Sequence, residues 1–416
     1  HYEMEQEEHD VYPDDPDFDI NKARLVTTAP RICVRYECVP MRFIKHVYRI
    51  HTYAQDGRLF EGKTPVSAFL NSSYDGSFIA GLMELRYIQS LPVERIINYF
   101  ESHGFTLKKP TAHKLMEKAS SLFENLYKCI RQTALSDPYK AADETYYKIL
   151  VPEKNSKGKG FRKGYLWVVV GINTRMIYLL YDDGSRSEKV ILNELGGCKG
   201  IIQSDGYSPY RKLESDAYPH ITRIPCLQHI KRKFIDCGED DPDAKRIVEM
   251  INTLYQNEHK HKIGVDGWTV EQNLVHRKKY APDILGEIKD VLDDIEERGD
   301  LLPKSELKEA ITYLRNEWNA VVDIFNYGDT YLDNNIVERM NRYISLSRKN
   351  SLFFGSHKGA ERGAILYTIA LTCRMHKVNL FEYLTDVINR TAEWQPNTPL
   401  EKYRELLPDR WEKANG

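Results

Sequence analysis

Three acidic residues carry the chemistry that this sequence can do. Asp143 sits in AADETYY, inside a run that reads as a strand; Asp205 ends the apolar stretch GIIQSD and is followed by Gly206; Glu338 is near the centre of the polar face of LDNNIVERMNR. An acid in or at the end of an apolar strand loses hydration unless something compensates it, and a bound divalent cation is one such compensator. Mg²⁺ takes a few carboxylates and completes its shell with water and phosphate oxygens, and two ions about 3.5–4 Å apart activate an attacking oxygen and stabilise a leaving one. One carboxylate would bridge both ions and the other two would hold one each. Each acid alone also fits a strand-end or turn position, and the helix alone fits a solvated face with a Glu338–Arg342 pair. The three together, on two strands and a later helix, favour the metal.

Other acids fit simpler roles. Asp182 and Asp183 precede Gly184 and read as a hairpin turn, Glu144 should face the other side of the strand from Asp143, and Asp333 stands where a helix N-cap spends its carboxylate on backbone amides.

The elements that must position these acids follow from periodicity. YKAADETYYKIL, GYLWVVVGINTRMIYLLYDDG, CKGIIQSDGYSPY and HITRIPCLQHI are β-rich, with a helix, SRSEKVILNEL, between the second and third. YLWVVVGIN is nearly continuous in apolar residues, as a strand covered on both faces should be. In LDNNIVERMNR and beyond, Ile336, Val337, Met340, Tyr343 and Ile344 form one side and Asn334, Asn335, Glu338, Asn341 and Arg342 the other. The apolar side would dock on the sheet. Upstream, FIAGLMELRYIQ, PVERIINYFESHG and PTAHKLMEKASSLFENLYKCIRQTA predict three tightly joined helices, compatible with a helix-turn-helix. A plain helical packing module fits the same spacing.

The predicted organisation is an acidic, flexible tail over 1–31 and a small β-leaning segment over 32–70, ended by the turn-prone DGRLFEGKTP. A helical module over 71–136 follows, then an α/β core over 137–240. A helical insertion over 241–328 separates that core from its last part at 329–385, and a tail closes the chain at 386–416.

At 416 residues the chain can bury a sizeable core, and with 41% hydrophobic and 29% charged residues and no apolar run of membrane-spanning length it reads as soluble, with no secretory signal. It begins with His1 rather than Met, which fits a fragment or a processed chain. Its seven cysteines form no CxxC pair, which argues against a disulfide framework and sets the chain in a reducing cytoplasm. The net charge of −2 hides a segregation: residues 3–19 are acidic, whereas 153–163, 228–233 and 342–358 are basic. Local patches rather than the total govern phosphate binding, so nucleic acid is not excluded as a partner.

The ordered set ADET, GYLWVVV, QSDGYSPY, CLQHIKRKF, LPKSELKEAITYLRNEW, LDNNIVERMNR and SRKNSLFFGSHKGAERGA resembles the bacterial transposases of the insertion sequence sixty-six family, from about residue 32 to 385. The resemblance implies a ribonuclease H-like catalytic domain of D-D-E type with a helical insertion before the last carboxylate. Its triad would be Asp143, Asp205 and Glu338, with two Mg²⁺ or Mn²⁺ ions, and its substrate double-stranded DNA, both transposon ends and target. It further implies assembly as a homodimer on DNA, accessory proteins from the same element, and a bacterial, nucleoid-associated setting. Another metal-dependent nuclease or resolvase of this fold, or a domesticated DNA-binding protein without catalysis, are the alternatives.

Cys226 and His229 match a C-x-x-H element that follows the second Asp in several such transposase groups. One Cys and one His three apart supply half of a zinc site, but no second pair is apparent, so a supporting role at the site or a buried structural pair is expected. Cys33 and Cys38 lack the CxxC partners that the family's zinc-binding segment carries, which argues against zinc there. Asn334 and Arg342, one turn to either side of Glu338, are placed to support it or touch phosphate. Lys231, Arg232 and Lys233, and then Arg348, Lys349, Asn350, Lys358 and Arg362 around the glycines of FFGSHKG, are the expected DNA contacts.

Overall fold

A short antiparallel hairpin, β1 (Thr52–Gln55) and β2 (Arg58–Glu61), pairs Thr52 with Glu61 and Gln55 with Arg58. Residues 58–61, expected to lie in the turn-prone end of the segment, are therefore a strand; the sequence between the two strands is Asp56-Gly57, a pair favoured in two-residue hairpin connections. The computed structural model describes residues 41–47, 49, 51–55, 58–61, 67–69, 72–153, 160–238, 240–392, 394–395 and 397–413. The acidic stretch 1–31, Cys33, Cys38 and most of the basic run 153–163 lie outside them. The chain divides into two units, His1–Ile44 and Lys45–Gly416, and all that follows concerns the second.

The helical stretch comprises α1 (Gly76–Met83), continued by a π-helical turn at Glu84–Ile88, then α2 (Val93–Ser102), α3 (Lys109–Leu122) and α4 (Glu124–Ser136). The helix expected from Pro110 onward is interrupted at Phe123, fully buried at the joint between α3 and α4.

The core is one mixed sheet of five strands: β3 (Tyr139–Leu150), β4 (Phe161–Gly171), β5 (Ile177–Leu180), β6 (Gly200–Ser204) and β7 (Ile221–Pro225), in the order β5-β4-β3-β6-β7. β4 pairs antiparallel with β3 on one side and β5 on the other, while β6 and β7 add in parallel beyond β3. This mixed α/β arrangement is compatible with a ribonuclease H-like fold. Trp167, Val168, Val169 and Val170 of β4 are wholly buried, as their continuous apolar run predicts. The Asp182–Ser185 turn is present, closed by Ser185 N–H donating to Asp182 O at 2.8 Å, but it leads from β5 into a helix rather than joining two strands.

That helix is α5 (Glu188–Leu195), followed beyond β6 by α6 (Ser208–Arg211) and beyond β7 by α7 (Leu227–Ile235). The insertion supplies α8 (Pro242–Glu258), α9 (Val270–Glu297) and α10 (Glu306–Ile324), of which α10 returns to pack on α7 and β7. Then come α11 (Asn335–Asn350) on β3 and β4, α12 (His357–Met375) on β5, α13 (Leu380–Thr391) against α1, and α14 (Leu400–Glu405) against α4. The N-terminal helices thus share their packing with α12 to α14. Among the described residues no helix is long and apolar enough to cross a membrane.

Candidate active site

Strand register brings the two aspartates level. β3 and β6 run parallel with Tyr139 opposite Ile201, Lys140 opposite Ile202 and Ala141 opposite Gln203. Two residues beyond the last of these pairs stand Asp143, within β3, and Asp205, the residue that follows the end of β6. Burial, and after it the charges of Glu144 and Asp205, push the Asp143 carboxyl up to about 8. Two donors oppose that shift, the Glu144 N–H at 2.8 Å and the Asn341 side-chain amide at 2.6 Å. Glu144 takes different partners, Arg186 and, at 3.4 Å, the Tyr210 hydroxyl, as strand alternation requires.

The insertion holds the Asp205 turn. Its carboxylate accepts the Tyr207 N–H at 3.0 Å, its carbonyl accepts from Arg223 at 3.1 Å, and the Gly206 N–H donates to the Tyr313 hydroxyl of α10 at 2.8 Å. A Cβ on residue 206 would stand 2.5 Å from that hydroxyl, so only glycine lets the helix come this close. Arg223, fully buried, also pairs with the buried Glu317 of α10.

Helix α11 is pinned to β3 beside Asp143. The Asn334 side chain donates to the Ala142 carbonyl at 3.0 Å and Asn341 donates to Asp143, so two residues seven apart on one stripe grip adjacent positions of the strand. Glu338 lies on that stripe between them. Its Oε1 stands 3.7 Å from His229 Nδ1, and both atoms are buried without a hydrogen-bond partner. The Glu338–Arg342 pair of a merely solvated helix face is not among the described ion pairs, and Arg342, expected to support Glu338 or touch phosphate, is exposed. Asp333 does spend its carboxylate on a backbone amide, that of Asn335 at 3.1 Å.

Cys226 is the residue before α7 and His229 is in its first turn. Asn334 N–H donates to Cys226 Sγ at 3.2 Å and Leu227 N–H to Leu332 O at 2.9 Å, tying the start of α7 to the start of α11. Burial pushes the Cys226 thiol up to about 12. Ligand atoms of Cys226, His229 and Glu338 lie within 4.8 Å of one another. Asp143, Asp205 and Glu338 do not form so tight a group among the described residues.

The expected DNA contacts divide by environment. Arg232, Lys349 and Lys358 are exposed. Lys231 and Lys233 lie 5.9 and 5.8 Å from the ring centres of Tyr255 and Tyr313. Arg348 is occupied within the fold: it stacks 3.9 Å from the Tyr146 ring centre and donates to the Tyr146 carbonyl. Asn350 donates to Ser90 O at 3.1 Å, and Arg362 pairs with Glu117 at 2.6 Å. The loop beyond α11 is held to β3 by Phe354, whose N–H and carbonyl bond Lys148 and Leu150, leaving Leu352 and Phe353 exposed.

A family model, Transposase IS66 family, matches residues 71–362. The chain belongs to the IS66 transposase family. The IS66 match takes in all three acids, Cys226, His229 and the loop through Lys358. Three uncharacterized proteins of Sinorhizobium fredii are similar. The protein y4jD is 26% identical over 80% of this chain and 65% of its own length, y4hP 24% over 95% and 76%, and y4qI 26% over 88% and 69%. The chain therefore spans just under two thirds of y4jD. Asn341, Tyr313 and Arg223 are the site residues that sequence reasoning missed. Asn341 had a signal, its place three residues after Glu338 on the same face; the other two had none, because their partners lie on other elements.

Proposed function

We propose that the chain is a DNA transposase of ribonuclease H-like architecture, in which Asp143, Asp205 and Glu338 act together on the phosphodiesters of transposon ends and target DNA. The observation that carries this reading is the register that levels Asp143 with Asp205 while Asn334 and Asn341 fasten the helix bearing Glu338 onto the same strand. The aspartates fit a hard divalent cation: the Asp143 carboxyl, pushed up by burial and then by the like charges of Glu144 and Asp205, lacks compensating positive charge. Mg²⁺ or Mn²⁺ bound there would supply activation of the attacking oxygen and stabilisation of the leaving one.

The chain's own residues do the rest. Asn341 fixes the orientation of Asp143, and Arg223, Tyr313 and Gly206 fix the Asp205 turn. Glu338 joins the aspartates by turning its side chain from His229 toward Asp143, a rotamer change of a partly exposed group. Arg232, Lys349 and Lys358 bind the DNA backbone, with Leu352 and Phe353 against the sugar-base edge. Water attack breaks a P–O3′ bond and frees a 3′-hydroxyl, which then attacks a target phosphodiester at the same site, with no covalent enzyme intermediate.

The first test is whether inverted repeats flank the gene, and those repeats then serve as substrate. Purified chain with Mg²⁺ should nick such ends and join a pre-cleaved end to target DNA, and Asp143→Asn, Asp205→Asn and Glu338→Gln should each abolish both. Nicking without joining would make it a nuclease or resolvase; DNA binding with neither, unaffected by these substitutions, would make it a non-catalytic binding protein.

A further inference from the structure

The sequence shows one Cys and one His three residues apart and no second pair. The fold supplies a third ligand 109 positions after His229. Cys226 Sγ, a ring nitrogen of His229 and a Glu338 carboxylate oxygen converge within 4.8 Å, on the starts of two helices that are bonded to each other through Asn334 N–H to Cys226 Sγ and Leu227 N–H to Leu332 O. We propose that Cys226, His229 and Glu338 form a binding site for a thiophilic divalent transition-metal ion of the Zn²⁺ class, separate from the Asp143–Asp205 pair.

Geometry and donor type both favour such an ion. Zn–S near 2.3 Å and Zn–N and Zn–O near 2.0–2.2 Å put tetrahedral neighbours roughly 3.3–3.6 Å apart. His229 Nδ1 and Glu338 Oε1 already stand at 3.7 Å, close to that spacing, and Cys226 lies within 4.8 Å of both residues' ligand atoms, so side-chain adjustment of about an ångström or less brings the three together. Neither atom has a hydrogen-bond partner although both are buried, a cost that a shared cation removes. The N–H of Asn334 directed at Cys226 Sγ is the kind of outer contact that supports a metal thiolate. A sulfur, nitrogen and oxygen set suits Zn²⁺ or Co²⁺ and is poor for Mg²⁺, which takes oxygen. Three protein ligands leave a fourth position for water.

The site does not depend on the reaction proposed above, but it shares Glu338 with it. A Zn²⁺-class ion bound here holds Glu338 toward His229 and away from Asp143.

The test is Co²⁺ titration of the full-length chain after chelator treatment, read by the thiolate-to-cobalt absorption in the near ultraviolet and the visible bands of tetrahedral cobalt. One equivalent should bind, be displaced by Zn²⁺, and resist a large excess of Mg²⁺. Cys226→Ser should abolish the thiolate band. His229→Ala and Glu338→Gln, at partly exposed side chains that leave folding intact by circular dichroism, should weaken binding by at least about 10–100-fold. Asp143→Asn should leave the band unchanged. Absence of a thiolate band, its persistence in Cys226→Ser, or undiminished binding in both His229→Ala and Glu338→Gln would overturn the assignment. Failure of these spectra leaves the reading of the chain as a transposase untouched, whereas an ion bound here should slow cutting by withholding Glu338 from Asp143.

Discussion

Asn341 donates its side-chain amide to the carboxylate of Asp143 at 2.6 Å, joining residues 198 positions apart in the chain. That bond, with Asn334 on the neighbouring carbonyl of Ala142, sets the height of α11 along β3 and so the place of Glu338.

Asn341→Ala should therefore lower nicking and joining by about 10–100-fold, the usual effect of losing a partner that orients a ligand. The helix keeps its buried Val337, Met340 and Ile344, so the thermal midpoint should move little. Asn341→Asp, which sets a like charge against Asp143, should be worse than Asn341→Ala; equal activity of all three proteins would show that Asn341 has no orienting role.

The pH dependence has a defined sign. Because the folded Asp143 carboxyl is pushed up to about 8, the metal-free folded chain keeps a proton that the unfolded chain releases at ordinary carboxylate pH. Its contribution to stability falls as pH rises from about 4 to 8, by at most about 1.4 kcal/mol per pH unit, and is level above that. Urea unfolding at pH 5 to 8 with chelator present should show this slope in the wild type and a flatter one in Asp143→Asn. Mg²⁺ or Mn²⁺ bound at Asp143 displaces the same proton, so affinity measured calorimetrically should rise up to about tenfold per pH unit and then plateau.

Gly206→Ala places a methyl group 2.5 Å from the Tyr313 hydroxyl and must displace the Tyr313 ring from the Asp205 turn. Activity should be lost while far-ultraviolet dichroism stays close to wild type. Tyr313→Phe keeps the space but leaves the Gly206 N–H without its partner, at about 1–3 kcal/mol in chemical denaturation.

The Arg223–Glu317 pair joins β7 to the insertion with both side chains buried. Arg223→Ala, which strands Glu317 without its partner, should cost about 3–5 kcal/mol in urea denaturation. Arg223→Met combined with Glu317→Leu should be milder than either single change. A larger loss in the double variant would mean that the pair's other contacts, to Glu214, Ser204 and the Asp205 carbonyl, dominate.

Lys349→Ala and Lys358→Ala should each weaken DNA binding alike for all sequences and reduce the slope of log affinity against log salt by about one. Arg348→Ala should act differently, since Arg348 is stacked on Tyr146: its loss should appear first as a lower thermal midpoint.

Local pattern alone settled much of this protein. Residue alternation and β-branched runs place β3, β4, β5, β6 and β7 where they form, and the polar stripe of LDNNIVERMNR marks Glu338 as the residue that a docked helix would present, because these signals lie between residues two to four apart. The family match over 71–362 agrees with the motifs that the sequence displays. What tertiary structure decided are relations across long stretches of chain: the register that levels Asp143 with Asp205, the bond from Asn341 to Asp143, the occupation of Arg348 by Tyr146, and the meeting of Glu338 with Cys226 and His229. Periodicity says which face of an element is buried but not how far the element slides along its neighbour. That sliding is set by the close contacts of Asn334 and Asn341 on β3 and of Tyr313 on Gly206, and a shift of one residue in any of them would hand Glu338 a different set of partners.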